Sequence, residues 1–375
     1  MTRDDARQLD ELCAAWGRGG LRSRMPPPAA GFSGGSLHVV SLAETAGRFV
    51  LKPFAAGTAR QRAEWVHQLM HHARNAGLTE VPRLLMTVAG ESVVERADGR
   101  LWELVEFVEG RPCASPTPAR AAAALGVVAR LHGAFASWPG AVPDHGPSPG
   151  VVRRMEQACD LLGRPWATRL DAVGVRAGAS EAGASEFVRE VHAACRDVDR
   201  ILAGPPGRRG LVAVAEAGIG AVGRQAVLRD IWSDHVLFAR GDSPRVAGII
   251  DFHAAGIDTP VTDLARLLGS WDTAVWDMQA TPAPGPFSGL ADRWTEPLAA
   301  YEQARGQSLS AADRWLCGWL HASAVICSLD NWFRWTLEEN RHFSEASRAL
   351  ARIRGLRASL PHALEWLSHA AKPPV

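Results

Sequence analysis

Three aspartates and one histidine lie close together in the second half of the sequence: Asp230, Asp234, His235 and Asp251. Carboxylates that lie near one another repel each other, because each one disfavours the ionisation of the next. A divalent cation between them removes this repulsion, and carboxylate oxygens combined with carbonyl or phosphate oxygens are ligands that suit Mg²⁺. This group of side chains therefore indicates a magnesium site.

A predicted β-hairpin brings these side chains to one place. Two short apolar runs between residues 235 and 250 flank a turn rich in Gly, Asp, Ser and Pro, which is the pattern of a hairpin. Pairing of the two strands puts Asp251 opposite Asp234 or His235, to within about one or two positions of register. Asp230 lies just upstream, at the same open end of the hairpin.

A second group of residues, near the N-terminus, suits an anionic ligand. The turn Ser33-Gly34-Gly35 precedes a strand-like run, and its glycines let backbone N–H groups approach a phosphate closely because they carry no Cβ atom. Lys52 follows in the apolar strand pattern RFVLKPF and is one of two lysines in the chain. A lysine in such a strand costs free energy unless its charge meets an anion. The two features together predict a phosphate-binding site.

The composition excludes several classes of protein. At 375 residues the chain exceeds one typical core, so two lobes are expected. The formal net charge of +1 argues against a nucleic-acid or membrane-surface partner attracted by bulk charge. No apolar run reaches the roughly 18 residues that span a bilayer, and the N-terminus lacks the apolar segment of a signal peptide. Six scattered cysteines indicate reduced thiols, so we expect a cytoplasmic protein without structural zinc.

The pattern around the hairpin resembles the aminoglycoside phosphotransferase and choline kinase family, which has the protein-kinase-like fold. That family usually reads H-G-D-x-x-x-x-N, then a hairpin, then I-D-F/W and, further on, P-x-x-D-L-A. The corresponding segments here are Leu228-Arg229-Asp230 with His235, Ile250-Asp251-Phe252, and Pro260-Val261-Thr262-Asp263-Leu264-Ala265. Two positions depart from the pattern, since Leu228 replaces the leading histidine and His235 replaces the metal-binding asparagine.

The resemblance implies an α+β fold with two lobes that hold ATP between them. Residues 1–108 are expected to form the nucleotide-binding lobe, a small antiparallel sheet with one helix. Residues 109–375 are expected to form a mainly helical catalytic and substrate lobe. A helical insertion at about 151–203 helps to shape the acceptor pocket in this family.

The resemblance also implies which residues bind ATP. The amides of residues 33–35 and the Lys52 ammonium hold the phosphates. Glu64, on the helix after Lys52, pairs with that lysine as the helix glutamate of kinases does; alternatively, it is a solvated acid that pairs with neighbours on its own helix. The backbone of Glu106 to Val108 forms the hinge that binds the adenine.

The metal and the reacting groups follow from the same comparison. Asp251 holds Mg²⁺, with His235 or Asp234 in place of the missing asparagine. Asp230 orients and deprotonates the acceptor hydroxyl. Arg229 stabilises charge on the phosphate or forms a salt bridge to a neighbouring acid. A further aspartate, residue 263, braces the catalytic loop through hydrogen bonds.

Two residues are candidates for binding a small-molecule hydroxyl acceptor. Trp271 belongs to an aromatic-rich C-terminal part that stacks a sugar or surrounds a quaternary amine, unless it is a core residue. Asp330 lies on the apolar stripe of the helix predicted at 312–340, where a carboxylate needs a partner. That partner is either the acceptor or Arg334, four residues further on.

Two other functions remain open at this point. The departures at Leu228 and His235 favour a nucleotide-binding protein without transferase activity. A metallohydrolase would instead gather Asp230, Asp234, His235, Asp251 and His253 around Zn²⁺ or Mn²⁺. The second alternative leaves the glycine-rich turn and Lys52 without a role.

Overall fold

A computed structural model describes residues 9–17, 21–25, 37–173, 186–216, 222–274, 294–341, 343 and 346–370. The predicted phosphate-binding turn Ser33-Gly34-Gly35 lies outside these residues. Within them, no helix is both long enough and apolar enough to span a membrane.

The first part of the chain forms a five-stranded antiparallel sheet with the strand order β1-β2-β3-β5-β4. Its strands are β1 (Leu21–Met25), β2 (His38–Leu42), β3 (Phe49–Pro53), β4 (Val94–Glu95) and β5 (Leu101–Glu106). Side chains alternate between the two faces of a strand. Phe49 and Leu51 therefore join a core beside Trp16, while Lys52 points to the opposite face.

The helix that the sequence predicts after Lys52 packs on this sheet. Helix α1 (Arg60–Asn75) begins after the N-cap residue Ala59 and ends before Gly77, which has a positive φ of 92°. Its apolar side is buried through Val66, Leu69 and Met70.

The remainder of the chain is mainly helical and surrounds the largest apolar core. Its helices are α2 (Pro118–Ala136), α3 (Pro149–Gly163), α4 (Trp166–Val173), α5 (Glu186–Ala203), α6 (Pro205–Glu216), α7 (Pro260–Ala274), α8 (Thr295–Arg305), α9 (Ala311–Phe333) and α10 (Ala346–Ala370). A capping box of Ser310 and Asp313 begins α9, and a π-helical turn, Arg334–Glu338, follows it. The helix predicted at 312–340 is thus present with a changed last turn.

Two small sheets lie within this helical part. One has the order β10-β9-β6 and the other β11-β8-β7. Their strands are β6 (Arg111–Pro112), β7 (Asp144–Gly146), β8 (Val222–Val227), β9 (Val236–Phe238), β10 (Val246–Ile249) and β11 (Gly256–Asp258). The predicted hairpin is confirmed, because β9 and β10 pair in an antiparallel way.

The chain passes from the first sheet to the second between Glu106 and Arg111. The backbone approaches β9 closely there, and a Cβ atom at Gly110 would lie 2.9 Å from the Phe238 carbonyl oxygen. Glycine therefore allows β6 to pair with β9 directly after the crossing. The predicted division of the chain at residue 108 falls in this segment and stays a prediction.

Candidate active site

The open end of the β9–β10 hairpin gathers the predicted acidic residues. Val236 pairs with Ile249, and the Ile250 amide donates to the His235 carbonyl oxygen at 2.9 Å. Asp251 follows with φ 66°, and Arg229 on the facing loop has φ 65°. Non-glycine residues rarely adopt this left-handed conformation, and such strain concentrates at functional sites.

Asp251 forms an ion pair with Lys52, across the cleft between the first sheet and the hairpin. The Lys52 Nζ atom lies 3.3 Å from Asp251 Oδ1. The positive charge of Lys52, with smaller contributions from His235 and His253, lowers the pKa of Asp251 to about 2 against the opposing effect of burial. Asp251 is therefore ionised at neutral pH and can hold a cation.

Glu103 on β5 is the second carboxylate bound to Lys52, at 3.3 Å. The two residues are direct cross-strand partners in the β3–β5 ladder. The predicted ion pair between Lys52 and Glu64 is therefore wrong. The Lys52 ammonium pairs with Glu103 and Asp251 instead, and Glu64 is half-buried on α1. The pairing of neighbouring strands supplies the acid that kinases take from a helix.

Two histidines keep Glu103 ionised in a site that excludes water. Its side chain is 2% exposed, with His67 Nε2 at 2.6 Å from Oε2 and His253 Nε2 at 2.8 Å from Oε1. Burial raises the pKa of Glu103, but His253, Lys52 and the hydrogen bonds from both histidines together lower it well below its usual value. Burying a charged group costs free energy unless the charge is paired, and these contacts offset the cost of burying the Glu103 carboxylate.

Helix α1 contacts the loop after the hairpin through Arg62. The Arg62 guanidinium donates to the carbonyl oxygens of His253, at 3.1 Å, and Ala255. The His253 ring also stacks on Phe54, with ring centres 3.9 Å apart. The helix, the first sheet and the Asp251 loop are thus joined by hydrogen bonds and packing.

His235 lies between the two aspartates, as the family asparagine would. Its Nδ1 atom is 2.9 Å from the Asp230 carbonyl oxygen, and its Nε2 atom is 3.8 Å from Asp251 Oδ2. Because a carbonyl oxygen only accepts, Nδ1 carries a proton, and Nε2 is the ring nitrogen directed towards Asp251. Asp234 is exposed in the 3₁₀ turn Ser233–His235.

Asp230 is held by two donors on one oxygen. The Trp232 Nε1–H group donates to Asp230 Oδ1 at 2.6 Å, and Arg266 on α7 forms an ion pair with the same atom. The carboxylate is 43% exposed. No hydrogen bond among the described residues uses Oδ2, which is therefore open to a ligand.

Asp263 braces the loop that carries Asp230. It accepts from the amides of Leu228 and Arg229 at 2.8 and 2.7 Å, and it contacts His132 Nε2 at 3.0 Å. Tyr301 meets the other ring nitrogen of His132 at 2.9 Å. These hydrogen bonds agree with the bracing role predicted for residue 263.

The Arg229 side chain lies against Gly256. A Cβ atom at Gly256 would lie 2.6 Å from Arg229 Nη1 and 3.0 Å from Cδ, so a larger residue there would require the arginine to move. Its charge contributes, after burial, to a lowered pKa of Arg62, and it also acts on Asp258. Of the two predicted roles, this placement favours interaction with a neighbouring acid over contact with phosphate.

The predicted hinge continues β5. The Glu106 amide donates to Arg83 O at 2.8 Å, and the Phe107 amide donates to Arg48 O at 2.9 Å. Among the described backbone hydrogen bonds of this segment, none uses the Val108 amide. Val108 also lies against strand β10 of the hairpin, since a Cβ atom at Gly248 would be 2.8 Å from its Cγ1.

The two predicted acceptor-binding residues are enclosed by the fold. Trp271 is fully buried and stacks on Trp294, with ring centres 5.8 Å apart, so it is a core residue. Asp330, whose side chain is 1% exposed, accepts from Trp166 Nε1 at 2.9 Å and Gln157 Nε2 at 2.7 Å. Arg169 lies 3.3 Å away, nearer than the predicted partner Arg334 at 3.9 Å. Neither residue is available to a substrate in this structure.

The residues present fit Mg²⁺ better than a protein-enclosed metal. In the part of the chain that the structure describes, no group of three or more His, Cys, Asp or Glu side chains is placed to hold a metal ion. The metallohydrolase alternative requires such a group and is contradicted, with His253 directed to Glu103 instead. Mg²⁺ typically binds one or two carboxylates together with substrate phosphates and waters, and Asp251 beside Lys52 satisfies that requirement.

The sequence interpretation missed Glu103, Trp232 and Arg266. Glu103 stands in the apolar strand LWELVEF, so the burial argument that singles out Lys52 applies to it equally. Arg266 is three residues after Asp263 on a helix, a spacing that puts both on one face. Trp232 carries no comparable signal beyond its closeness to Asp230 in the chain.

Comparison with known proteins gives a family match and several structural matches. A family model described as "Phosphotransferase enzyme family" matches residues 28–315. An aminoglycoside phosphotransferase from Alicyclobacillus acidocaldarius subsp. acidocaldarius DSM 446 is 14% identical, with 96% of each chain covered and a TM-score of 0.56. A spectinomycin phosphotransferase in complex with ADP and spectinomycin is 9% identical, with 98% of each chain covered and a TM-score of 0.59.

A third structure, an amicoumacin kinase in complex with AMP-PNP, Ca²⁺ and its ligand Ami, is 10% identical over 96% of this chain and 93% of that chain, with a TM-score of 0.57. No curated protein sequence matches the chain. The structural similarities confirm the predicted two-lobed, protein-kinase-like α+β fold.

Proposed function

Because the chain belongs to the phosphotransferase enzyme family, we propose that it transfers the γ-phosphate of ATP to a hydroxyl group of a small molecule. The observation that carries this proposal is the Lys52–Asp251 ion pair of 3.3 Å. It joins the first sheet to the hairpin at the place where Asp230 is also exposed. A phosphate group bound there meets a fixed ammonium on one side and a cation-binding carboxylate on the other.

The nucleotide occupies the cleft between the two lobes in this proposal. Lys52 binds the phosphates, together with the amides of residues 33–35. The Val108 amide, which the described backbone hydrogen bonds leave unused, binds the adenine at the hinge. ATP and a divalent cation are supported by the amicoumacin kinase complex with AMP-PNP and Ca²⁺.

Asp251 holds Mg²⁺, with the His235 Nε2 atom as a second protein contact beside it. The ion, when bound, neutralises negative charge on the phosphates. The depressed pKa of Asp251 keeps its carboxylate charged for this purpose. Exposed Asp234 is the weaker candidate, because its neighbour His235 already occupies the position between the two aspartates.

Asp230 orients the acceptor hydroxyl and takes up its proton. Trp232 and Arg266 hold Oδ1, so the carboxylate plane is fixed and Oδ2 is presented to the acceptor. Positioning and electrostatics supply most of the acceleration in phosphoryl transfer, so a fixed carboxylate is more useful than a strong base. The cytoplasm, expected from the sequence, is the location that we assign to this reaction.

A nucleotide-binding protein without transfer activity is the second candidate. The ion pair between Asp230 and Arg266 favours it, because a carboxylate paired with a guanidinium is a weaker proton acceptor. The presence of Leu228 in place of the family histidine also favours this second candidate.

Mg²⁺-dependent ADP release, measured over a panel of hydroxyl acceptors, distinguishes the two candidates. We expect turnover in the wild-type protein and a loss of about 1,000-fold or more in D230N, with ATP binding retained. ATP binding without acceptor-dependent ADP release in the wild-type protein would reject phosphoryl transfer and leave nucleotide binding alone, whereas equal turnover in the wild-type protein and D230N would reject the role of Asp230.

A further inference from the structure

Two arginines lie on the tryptophan that holds Asp230. The Cζ atom of Arg266, on α7, is 4.5 Å from the centre of the Trp232 ring, and the Cζ atom of Arg352, on α10, is 4.6 Å from it. The Trp232 N–H group donates to Asp230 at 2.6 Å. Two cations contributed by separate helices are thus positioned beside the acceptor-activating carboxylate by one aromatic ring.

A third arginine adds to this charge. Burial has the largest effect in lowering the pKa of Arg266, and the positive charge of Arg154 on α3 lowers it further, whereas Asp230 raises it. Among the charged groups whose interactions with this cluster the structure describes, three are arginines and two are carboxylates, Asp230 and Asp263. Asp263 is fully buried and already accepts from two amides and contacts His132.

The Arg266 guanidinium is incompletely bonded. Its Nη2 atom pairs with Asp230, but its Nε–H group is buried and meets no hydrogen-bond acceptor. Half of the Asp230 carboxylate, Oδ2, is equally unused in the described structure. A ligand that brings a hydroxyl group to Oδ2 therefore arrives next to guanidinium groups that attract negative charge.

We propose that the acceptor is a small hydroxyl compound that also carries an anionic group, a carboxylate or a phosphate, bound by Arg266 and Arg352 beside Trp232. This inference rests on the proposed function, because it assigns the acceptor side of the same site. Guanidinium groups bind carboxylate and phosphate with paired, charge-assisted hydrogen bonds. An acceptor with an ammonium group would be repelled by the same arginines.

A matched set of three-carbon diols tests the charge of the acceptor with the reacting hydroxyls unchanged. Glycerate carries a carboxylate, glycerol 3-phosphate a phosphate, glyceramide no charge and 3-amino-1,2-propanediol an ammonium. We expect kcat/KM for at least one anionic compound to exceed that for the ammonium compound by about 100-fold, from the loss of attraction and the added repulsion. Comparison of kcat/KM for glycerate with that for glycerol 3-phosphate shows whether the arginines bind a carboxylate or a phosphate better.

R352Q is the informative variant, because Arg352 touches Trp232 and makes no described contact with Asp230. We expect KM for the preferred anion to rise by about 10- to 100-fold, with kcat and the KM for glyceramide changed by about twofold at most. R354Q is the matched control, since Arg354 lies two residues along the same helix and pairs with Glu186 at 2.5 Å. It is expected to leave all four acceptors unchanged.

Calorimetric titration of glycerate and glycerol 3-phosphate into the protein with ADP and Mg²⁺ separates this inference from the proposed function. Binding that is weakened by R352Q, without phosphate transfer to any compound, would support the anion site and reject the kinase activity. Transfer to the ammonium compound at an equal or higher rate would support the kinase and overturn the anion site. Absence of binding by either anion, or equal effects of R352Q and R354Q, would also overturn it.

Discussion

The two reacting carboxylates of this cleft have opposite surroundings. Asp251 shares one lysine with a second carboxylate, the buried Glu103, so two acids meet a single ammonium on its side of the site. Asp230 pairs with Arg266, and both Arg266 and Arg352 lie on the ring of Trp232, which donates to the same carboxylate. The first arrangement attracts a cation and the second an anion.

This difference suggests how the nucleotide and the acceptor are directed to different sides of one site. Under the two proposals, the side of Asp251 would bind the metal that accompanies the nucleotide phosphates, and the side of Asp230 would bind the anionic group of the acceptor. The two carboxylates are also fixed differently. Asp251 is held by Lys52, which pairs with Glu103 within the sheet, whereas Asp230 is held by Trp232 and Arg266, which form a cation–π contact. Substitutions on the two sides should therefore affect different kinetic constants.

The largest effect is expected for D251N. The substitution removes the carboxylate proposed to hold Mg²⁺, so kcat/KM for ATP should fall about 1,000-fold, since metal-mediated charge neutralisation is lost. The measurement is ADP release as a function of Mg²⁺ concentration. D234N, on the exposed turn beside it, should stay within about threefold of wild type; an equal loss in both variants would assign the metal to Asp234 as well.

E103Q is expected to have the next largest effect. Without its charge, Glu103 no longer draws Lys52 to its present position, and misplacement of a phosphate-binding group by about 1 Å costs roughly 10- to 100-fold in kcat/KM. E64Q is the matched control on the helix and should remain within about twofold of wild type. If E64Q proved the more damaging variant, the helix glutamate would be the functional partner of the lysine.

D330N should reduce stability while leaving the acceptor kinetics unchanged. D330N removes the charge of a buried carboxylate that pairs with Arg169 and accepts from Trp166, while Glu338 still pairs with the guanidinium at 2.5 Å. We expect this to cost about 2 kcal/mol in the free energy of unfolding. Denaturant unfolding and acceptor KM are measured together. D160N, at the pair with the exposed Arg164, should change the stability far less, because solvent screens an exposed ion pair. A raised acceptor KM in D330N at unchanged stability would contradict the structural role.

The smallest effect concerns pH. The pKa of Glu103 lies well below its ordinary value of 4.5 in the folded protein, because His253 and Lys52 outweigh the effect of burial. Its stabilising contribution is thus fully present above pH 4.5 and is lost as the pH falls through the lower, folded-state pKa. The difference in unfolding free energy between wild type and E103Q, measured without metal, should shrink below pH 4.5; a constant difference would contradict this linkage.

The sequence predicts the hairpin and its aspartates better than it predicts the residues that hold Lys52 in place. The hairpin and the approach of Asp251 to His235 follow from turn composition and strand periodicity, which are local properties. Glu103 depends on which strand pairs with β3 and in which register, and neither is local. Lys52 could be singled out from its own strand, but its partner could not.

The acceptor-binding roles considered for Trp271 and Asp330 fail for the same reason, although the Asp330–Arg334 ion pair is present at 3.9 Å. Helical periodicity shows which side of a helix a residue occupies, but it does not show what covers that side. Asp330 needed a partner, and the sequence offered Arg334 four positions along. The fold supplies Trp166, Gln157 and Arg169 from helices more than 150 positions earlier in the chain.

The cross-strand pairing of Lys52 with Glu103 has one consequence for control of the protein. In kinases whose lysine pairs with a helix glutamate, an outward swing of that helix breaks the pair and switches the enzyme off. Here both partners belong to adjacent strands, and α1 supports the pair through the hydrogen bond from His67 to Glu103 and, through Arg62, by holding the loop that carries His253. A swing of α1 would therefore remove support from Glu103 without separating the lysine from its cross-strand acid.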